Sequence, residues 1–381
     1  MSTSSKRTRA RVRATVIAVA IGAVAFPAAA DANPRPNRPA KADVMTRNLY
    51  LGADLGPAIA APTVPEAFTA VGDIYKKMQD KNFNARAKLL VNEIEATDPE
   101  LIGLQEVSHW LRDDTVDGAP SESNPNAVSA TETVYDYLDL LTDEIARRGL
   151  KYEVAVVQQE ADLEFPADTS GDGTPDFDAR LIMRDVILVE KGVEVKETGG
   201  ANYPINATVN TAAFGPVTVK RGFTYADVKV RPRAKKFRFI NTHLESFNAA
   251  VRNFQAGNLT LATGVTDVAY PVVLVGDLNS DPDDPSTDPG PPSGENNDAY
   301  ETIIGDGFVD KGVGVNTCCF GEDIRDATPN FTSRIDHVLG KGPVEELSSF
   351  LIGTDQANRS GTGLWPTDHG GVVAKLRVGA P

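Results

Sequence analysis

Several apolar segments of this chain end abruptly in acids, amides or histidines, and those endings hold the residues with chemistry to offer. Val272-Val273-Leu274-Val275 runs into Gly276-Asp277-Leu278-Asn279. On an extended chain, side chains two apart share a face, so Asp277 and Asn279 are placed to address one phosphate or one water. Gly276 allows the backbone to approach closely. Leu101-Ile102-Gly103-Leu104 delivers Gln105-Glu106, a carboxylate at a strand end of the kind that binds hard divalent cations. Phe237-Arg238-Phe239-Ile240 leads to Asn241-Thr242-His243, and the C-terminal part adds Arg334-Ile335-Asp336-His337 and Thr367-Asp368-His369. Three of the four histidines fall in these endings, beside carboxylates that would fix a tautomer and keep the imidazole protonatable. Any one ending also fits a solvated turn. Together they describe proton transfer and cation binding around an oxyanion.

The elements that must position these residues follow from hydrophobic spacing. Asp43 to Arg47 reads as a strand leading to Asn48. Phe83, Ala87, Leu90, Val91 and Ile94 share one helical face, closed by Asp98-Pro99; Val134, Tyr137, Leu138, Leu141 and Ile145 repeat the pattern before Gly149. Strands are predicted at 101–104, 152–157, 181–190, 223–230, 237–241, 272–276, 334–339 and 372–378, with helices at 251–261 and 299–304. Many strands with few long helices suggest two packed sheets flanked by helices. Asp113 to Thr131 and Ser280 to Asp298 show no periodicity and read as long loops.

The ordered series Asn48, Gln105-Glu106, Asn241-Thr242-His243, Gly276-Asp277-Leu278-Asn279, Arg334-Ile335-Asp336 and Thr367-Asp368-His369 resembles the endonuclease/exonuclease/phosphatase superfamily, and the flanking Arg47-Asn48-Leu49-Tyr50-Leu51-Gly52-Ala53-Asp54 is similar to its exported actinobacterial members. The motifs are short, but the set is complete, in order, and spans nearly the whole chain. The resemblance implies an α/β (α+β) fold, a four-layer αββα sandwich of two mixed β-sheets flanked by helices. It implies Mg²⁺, with Mn²⁺ as a substitute, held by Glu106 with Asn48 and Asp368 near the ion or its waters. It makes Asp277 the residue that orients or deprotonates the attacking water, and Asn279 a phosphate ligand. His243 and His369 become proton donors to the phosphate, His369 paired with Asp336. Thr367 stands where serine is usual. Pancreatic-type deoxyribonucleases carry a carboxylate that supports the histidine matched by His243; Asp185 is the residue here, unless Arg184-Asp185 is a surface ion pair.

Lys6, Arg7, Arg9, Arg11 and Arg13 precede an apolar run, Ala14 to Phe26, that ends in small residues. Residues 1–32 therefore read as a secretory signal peptide, 33–41 as a Pro-rich linker and 42–381 as the catalytic domain, in a secreted protein. The formal charge of −15 becomes −19 once five cations and one anion, Asp31, leave with the signal. Such a surface repels polyanions, so no stable nucleic-acid complex is expected. No later run is long enough for a transmembrane segment. The adjacent pair Cys318-Cys319 reads either as two small apolar residues or as a vicinal disulfide formed after export. Asp168-Thr169-Ser170-Gly171-Asp172-Gly173-Thr174-Pro175-Asp176 resembles Ca²⁺ loops of thrombospondin type 3 repeats, with Asp168, Asp172 and Asp176 as ligands; a solvated acidic loop is the other reading, since Ala179 replaces the closing glutamate of an EF-hand.

The function read from these residues is a secreted, metal-dependent hydrolase of a phosphate ester, nuclease-like in first place. A sphingomyelinase-like phospholipid phosphodiesterase and an inositol-phosphate phosphatase are the alternatives. A lipid-cleaving enzyme would want an exposed aromatic or apolar hairpin; the sequence shows none, and Trp110 and Trp365 are its aromatic candidates. A non-catalytic binding module on the same fold would have lost ligands, and none of the eight positions is degraded.

Overall fold

The computed structural model describes residues 38–118, 127–285 and 296–379. The signal-peptide reading, and the linker up to residue 37, lie outside the described residues. In chain order the elements are β1 (Ala40–Asn48), α1 (Gly56–Ala60), α2 (Val64–Asp80), α3 (Phe83–Thr97), β2 (Leu101–Gln105), β3 (His109–Asp113), β4 (Glu132–Asp136) and α4 (Tyr137–Arg147). Then come β5 (Tyr152–Ala167), β6 (Phe177–Glu190), β7 (Glu194–Asn202), β8 (Ala207–Thr211), β9 (Gly215–Val219), β10 (Gly222–Lys229), β11 (Phe237–His243) and α5 (Ala249–Gly257). β12 (Val272–Asp277), α6 (Asp298–Gly305), β13 (Phe308–Asp310), β14 (Asp336–Lys341), β15 (Val344–Ile352) and β16 (Gly371–Val378) complete the chain. Ala40 and Lys41, assigned to the linker, are in β1, paired with Val378 and Arg377.

One sheet has eight strands, in the order β15-β16-β1-β2-β6-β3-β4 with β5 also paired to β6; the other has six, β13-β14-β12-β11-β10-β7. Both are mixed, because β1–β2 and β11–β12 are parallel while the remaining pairs are antiparallel. Between the sheets lies a core that includes Val44, Ile187, Phe239, Val275 and Val372. Outside the eight-stranded sheet, Ile102 and Leu188 meet Ile74, Leu90 and Leu141 of α2, α3 and α4. Outside the six-stranded sheet, Ile240 and Leu274 meet Ala256 of α5 and Ile303 of α6. This is the four-layer helix–sheet–sheet–helix sandwich the motifs implied.

Local signals set the helix ends. Asn82 caps α3 by accepting from the Ala85 N–H, and Asp98 closes it in the left-handed region. Asp136 caps α4 through the N–H groups of Leu138 and Asp139, which is why Val134 and Tyr135 belong to a strand and not to the predicted helix. Helix α2, absent from the sequence prediction, is capped by Thr63. Among the described residues no helix is long and apolar enough to cross a membrane.

Candidate active site

Strand register assembles the site. In the six-stranded sheet His243 of β11 is the partner of Asp277 on β12, and Asp277 is the partner of Asp336 on β14, so three motif residues stand in one row. In the other sheet Asn48 at the end of β1 is the partner of Gln105 at the end of β2. Gly276 makes the row possible: its φ is +152°, and a Cβ there would lie 2.0 Å from the Thr242 carbonyl oxygen.

Asp277 is the hub. Its Oδ2 accepts from Asn48 Nδ2 at 3.0 Å and lies 3.5 Å from His243 Nε2 and 3.9 Å from His369 Nε2. Its Oδ1 accepts from the Asn279 N–H at 2.9 Å. The strand ends at Asp277, and Asn279 has φ +48°, so the pair is joined by a turn and not by the extended spacing the sequence suggested. Asn279 Nδ2 donates one proton to the Leu244 carbonyl at 3.0 Å and has a second to offer. Burial and the nearby Asp336 carboxylate raise Asp277 to about 7, against the lowering effect of His369.

The two site histidines are tuned in opposite directions. His369 Nδ1 bonds Asp336 Oδ2 at 2.9 Å. Although burial works against its charge, Asp336 and Asp368 hold the imidazolium well above its ordinary range. His243 is lowered well below that range by burial and by Arg221, whose Nη1 donates to His243 Nδ1 at 2.8 Å. A guanidinium is only a donor, so Nδ1 must accept and the His243 proton resides on Nε2, facing Asp277.

Glu106 and Asp368 line one pocket of about 240 Å³ with Tyr50, Asp54, Arg221 and Glu322. Glu106 Oε2 accepts from the Leu51 N–H at 2.7 Å. Burial and the Glu106 charge raise Asp368 to about 6, and its Oδ1 has no hydrogen-bond partner among the described residues. Two acids crowded this way are relieved by a cation, and hard oxygen donors suit Mg²⁺ or Mn²⁺. Asn48, the strand partner of the residue before Glu106, is buried, its Oδ1 accepting from the Tyr50 N–H at 2.8 Å with a lone pair left over. Tyr50, Glu106 and Asn279 all have positive φ, +56°, +54° and +48°. Such conformations cost about 1–3 kcal/mol each and persist where the surroundings enforce them.

Supports that sequence reading missed come from distant segments. Arg47 pairs Glu93 through two 3.0 Å bonds and donates to the His369 carbonyl. Arg86 donates to the carbonyls of Leu49, Tyr50 and Pro366, tying the loop after β1 to the segment before Asp368. Arg221 follows the β8–β9 hairpin. Each reads in sequence as an ordinary solvated cation; only burial of all three distinguishes them. Gln105 and Asn241 are structural. Gln105 donates to Asn241 Oδ1, and Asn241 Nδ2 donates to the Leu104 and Val186 carbonyls, which joins the two sheets.

Other readings fall elsewhere. His337 follows Asp336 on a strand and so faces away from the site, bonding the Ser280 carbonyl and packing on Tyr300. Trp110 and Trp365 are buried, with their indole N–H groups committed to the Leu51 and Asp326 carbonyls, so neither is an exposed membrane anchor. Asp185 is fully buried and is no surface pair; it lies with Glu160 beside His243, while Arg184 bonds Asp136. Cys318 and Cys319 are joined as a vicinal disulfide, with Sγ atoms 3.6 and 3.9 Å from His369 Nε2. In the loop read as a Ca²⁺ site, Asp168 accepts from Thr69, Ser170, Gly171 and Gly173, and Asp176 from Thr169. Asp172 accepts from the Thr174 N–H. These bonds fold the loop on itself; the groups of three or more acids, cysteines or histidines gathered closely enough to share an ion lie elsewhere among the described residues.

A hub carboxylate, one charged and one neutral histidine, and a pair of crowded acids at the ends of two packed sheets define a hydrolase of phosphate esters. The chain belongs to the Endonuclease/Exonuclease/phosphatase family, whose model matches residues 77–369. Similar solved structures include an endonuclease/exonuclease/phosphatase family protein from Bacteroides thetaiotaomicron, with TM-score 0.53 and 16% identity over 89% of this chain and 96% of that one. A mannosyl-6-phosphatase from Bacteroides thetaiotaomicron VPI-5482 has TM-score 0.48 and 15% identity over 88% and 99%. An endonuclease/exonuclease/phosphatase from Beutenbergia cavernae has TM-score 0.48 and 19% identity over 89% and 72%. At 16% identity, the likeness to the first of these is one of fold alone. No curated protein matches the chain in sequence.

Proposed function

We propose that this chain is an exported, divalent-metal-dependent phosphodiesterase in which Asp277 orients and deprotonates the attacking water. The observation that carries the reading is the approach of Asn48 Nδ2, His243 Nε2 and His369 Nε2 to one Asp277 oxygen, at 3.0, 3.5 and 3.9 Å. Glu106 and Asp368 would hold Mg²⁺ or Mn²⁺, with Asn48 close by. A bound ion would supply positive charge against the anionic ester, whose own charge is the largest obstacle to attack. Asp277 takes the proton of the water as its oxygen bonds phosphorus. The ester P–O bond breaks, and the leaving oxygen takes a proton from the His369 imidazolium, which Asp336 keeps charged. His243, neutral with its proton on Nε2, and Asn279 Nδ2 donate to the phosphoryl oxygens.

The choice of ester moves away from a nucleic acid. The pocket around Glu106 carries one cation, Arg221, against Asp54, Glu106, Glu322 and Asp368, and the chain's formal charge is −15. A small diester meets less long-range repulsion there than a polymer of phosphates. Export is supported by the basic start and short apolar run before residue 32.

The test is turnover of plasmid DNA, RNA, sphingomyelin, an inositol phosphate and an aryl phosphodiester by the full-length protein, with Mg²⁺ or EDTA. Metal-dependent cleavage of a small diester, abolished in Glu106→Gln and Asp277→Asn, is the expected result. Activity that survives EDTA or both substitutions would remove the reading.

A further inference from the structure

A second cavity adjoins the carboxylate pocket and has none of its charged side chains. It measures about 60 Å³ and is walled by Leu55, Ile74, Trp110, Leu163, Phe165 and Phe214, among other apolar residues. Leu55 and Val219 line both cavities, so the two share a wall. Leu51 connects them further. Its N–H donates to Glu106, and its carbonyl accepts from the indole of Trp110, which lines the apolar side.

No polar group on that side is free to serve a hydrated ligand. The hydroxyl of Thr211, the one polar residue among the lining residues, donates to the Gly215 carbonyl and accepts from the Phe214 N–H. The Trp110 indole is likewise committed. A sealed void would be ordinary imperfect packing, but Leu55, Ala58, Ile59, Leu163, Phe165 and Val217 are each only partly buried, so the cavity opens outward. Its rim includes the β8–β9 hairpin, which pairs with neither large sheet. Phe214 in the hairpin turn packs on Phe165 and Phe68, with ring centroids 4.4 and 6.3 Å apart. The hairpin turns Phe214, Val217 and Val219 toward the cavity, while Thr208, Asn210 and Thr218 are exposed on its other face.

We infer that this cavity is the subsite for an aliphatic group of the substrate, so that the chain hydrolyses phosphodiesters in which one ester oxygen carries an alkyl or acyl-chain segment. The inference rests on the phosphodiesterase reading above for its chemistry and on the shared wall for its position. A polar substituent entering the cavity would lose its hydration without replacement, whereas a methylene gains from leaving water. Size restricts the group further. A cavity near 150 Å³ accepts a benzene ring; one of about 60 Å³ takes about three methylenes and no ring.

The experiment uses the full chain with Mg²⁺ and a series of p-nitrophenyl alkyl phosphodiesters from methyl to hexyl. Burial of each methylene predicts a rise in kcat/KM of about fourfold, levelling off after about the third. Ala58→Phe, which fills the cavity, should flatten that slope, and Phe214→Ala, which enlarges it, should extend it. A kcat/KM independent of chain length, or a slope unchanged in Ala58→Phe, overturns the inference. Calorimetry with methyl- to butylphosphonate separates binding at the cavity from turnover. Affinity that grows with chain length in a protein without turnover upholds the subsite and removes the phosphodiesterase reading; affinity that does not grow removes the subsite. Phosphatidylcholine vesicles distinguish the source of the chain. Cleavage of vesicles in addition to the soluble esters assigns a membrane lipid, and cleavage of the soluble series alone assigns a free ester.

Discussion

Asp336→Asn isolates the most specific electrostatic claim about the site. The substitution keeps the shape of the side chain and an oxygen for His369 Nδ1, now 2.9 Å away, but removes the charge. A hydrogen bond to a charged group is worth roughly 1.5–3 kcal/mol in a protein and a neutral one about 1. The imidazolium therefore loses on the order of 1–2 kcal/mol, which is about one pKa unit. Because Asp336 holds His369 above its ordinary range, losing it lets the proton leave at lower pH. The alkaline limb of kcat/KM should move down by about one unit, and the rate at pH above the new limb should fall about tenfold. The assay is a pH–rate profile with an aryl phosphodiester, paired with NMR titration of the imidazole rings, of which the chain has four. An alkaline limb and a His369 titration that both stay in place would refute the assignment of His369 as the charged proton donor.

Three further outcomes follow from buried charge and close backbone packing. Glu160 is raised by burial to about 8 from an ordinary 4.5, so its protonated form stabilises the fold below the unfolded value and that stability is lost as pH rises from about 4.5 to 8. Glu160→Gln should flatten this fall, which for a shift of this size is at most roughly 5 kcal/mol and is shared with Asp185; urea midpoints at pH 5 and pH 8 measure it. Glu93→Ala leaves the Arg47 guanidinium buried without its carboxylate, and should lower unfolding free energy by roughly 3–5 kcal/mol in urea titrations. Gly276→Ala places a Cβ against the Thr242 carbonyl, so activity should fall more than the urea midpoint, because the displaced strand end carries Asp277.

The site was legible in sequence where an apolar strand ends in a polar residue, since that boundary is local. Asp277, Glu106 and His243 all stand at such boundaries, and the alignment of Asp277 with His243 and Asp336 is simple strand register. Asn279 was identified, but its turn geometry was not, because a left-handed residue after a strand end has no spacing signal. Helix α2 did carry a signal: Ala67, Val71, Ile74, Tyr75 and Met78 are buried at helical spacing behind a Thr63 cap. Arg221, Glu160 and Arg47 were illegible for a different reason. Their roles depend on contacts between segments far apart in the chain, and only packing shows that these charges are buried. The apolar cavity is the extreme case, since α1, α2, β3, β5, β6 and the β8–β9 hairpin all contribute walls.

The central claim is that water held by Asp277 attacks phosphorus. It is tested most directly by hydrolysing a p-nitrophenyl phosphodiester in ¹⁸O-enriched water with Mg²⁺ and following the phosphorus product by ³¹P NMR. One ¹⁸O in the phosphate product, with Asp277→Asn slower by at least about a hundredfold, is the predicted result. Label appearing in the nitrophenol instead, or an Asp277→Asn variant that keeps the wild-type rate, would contradict it.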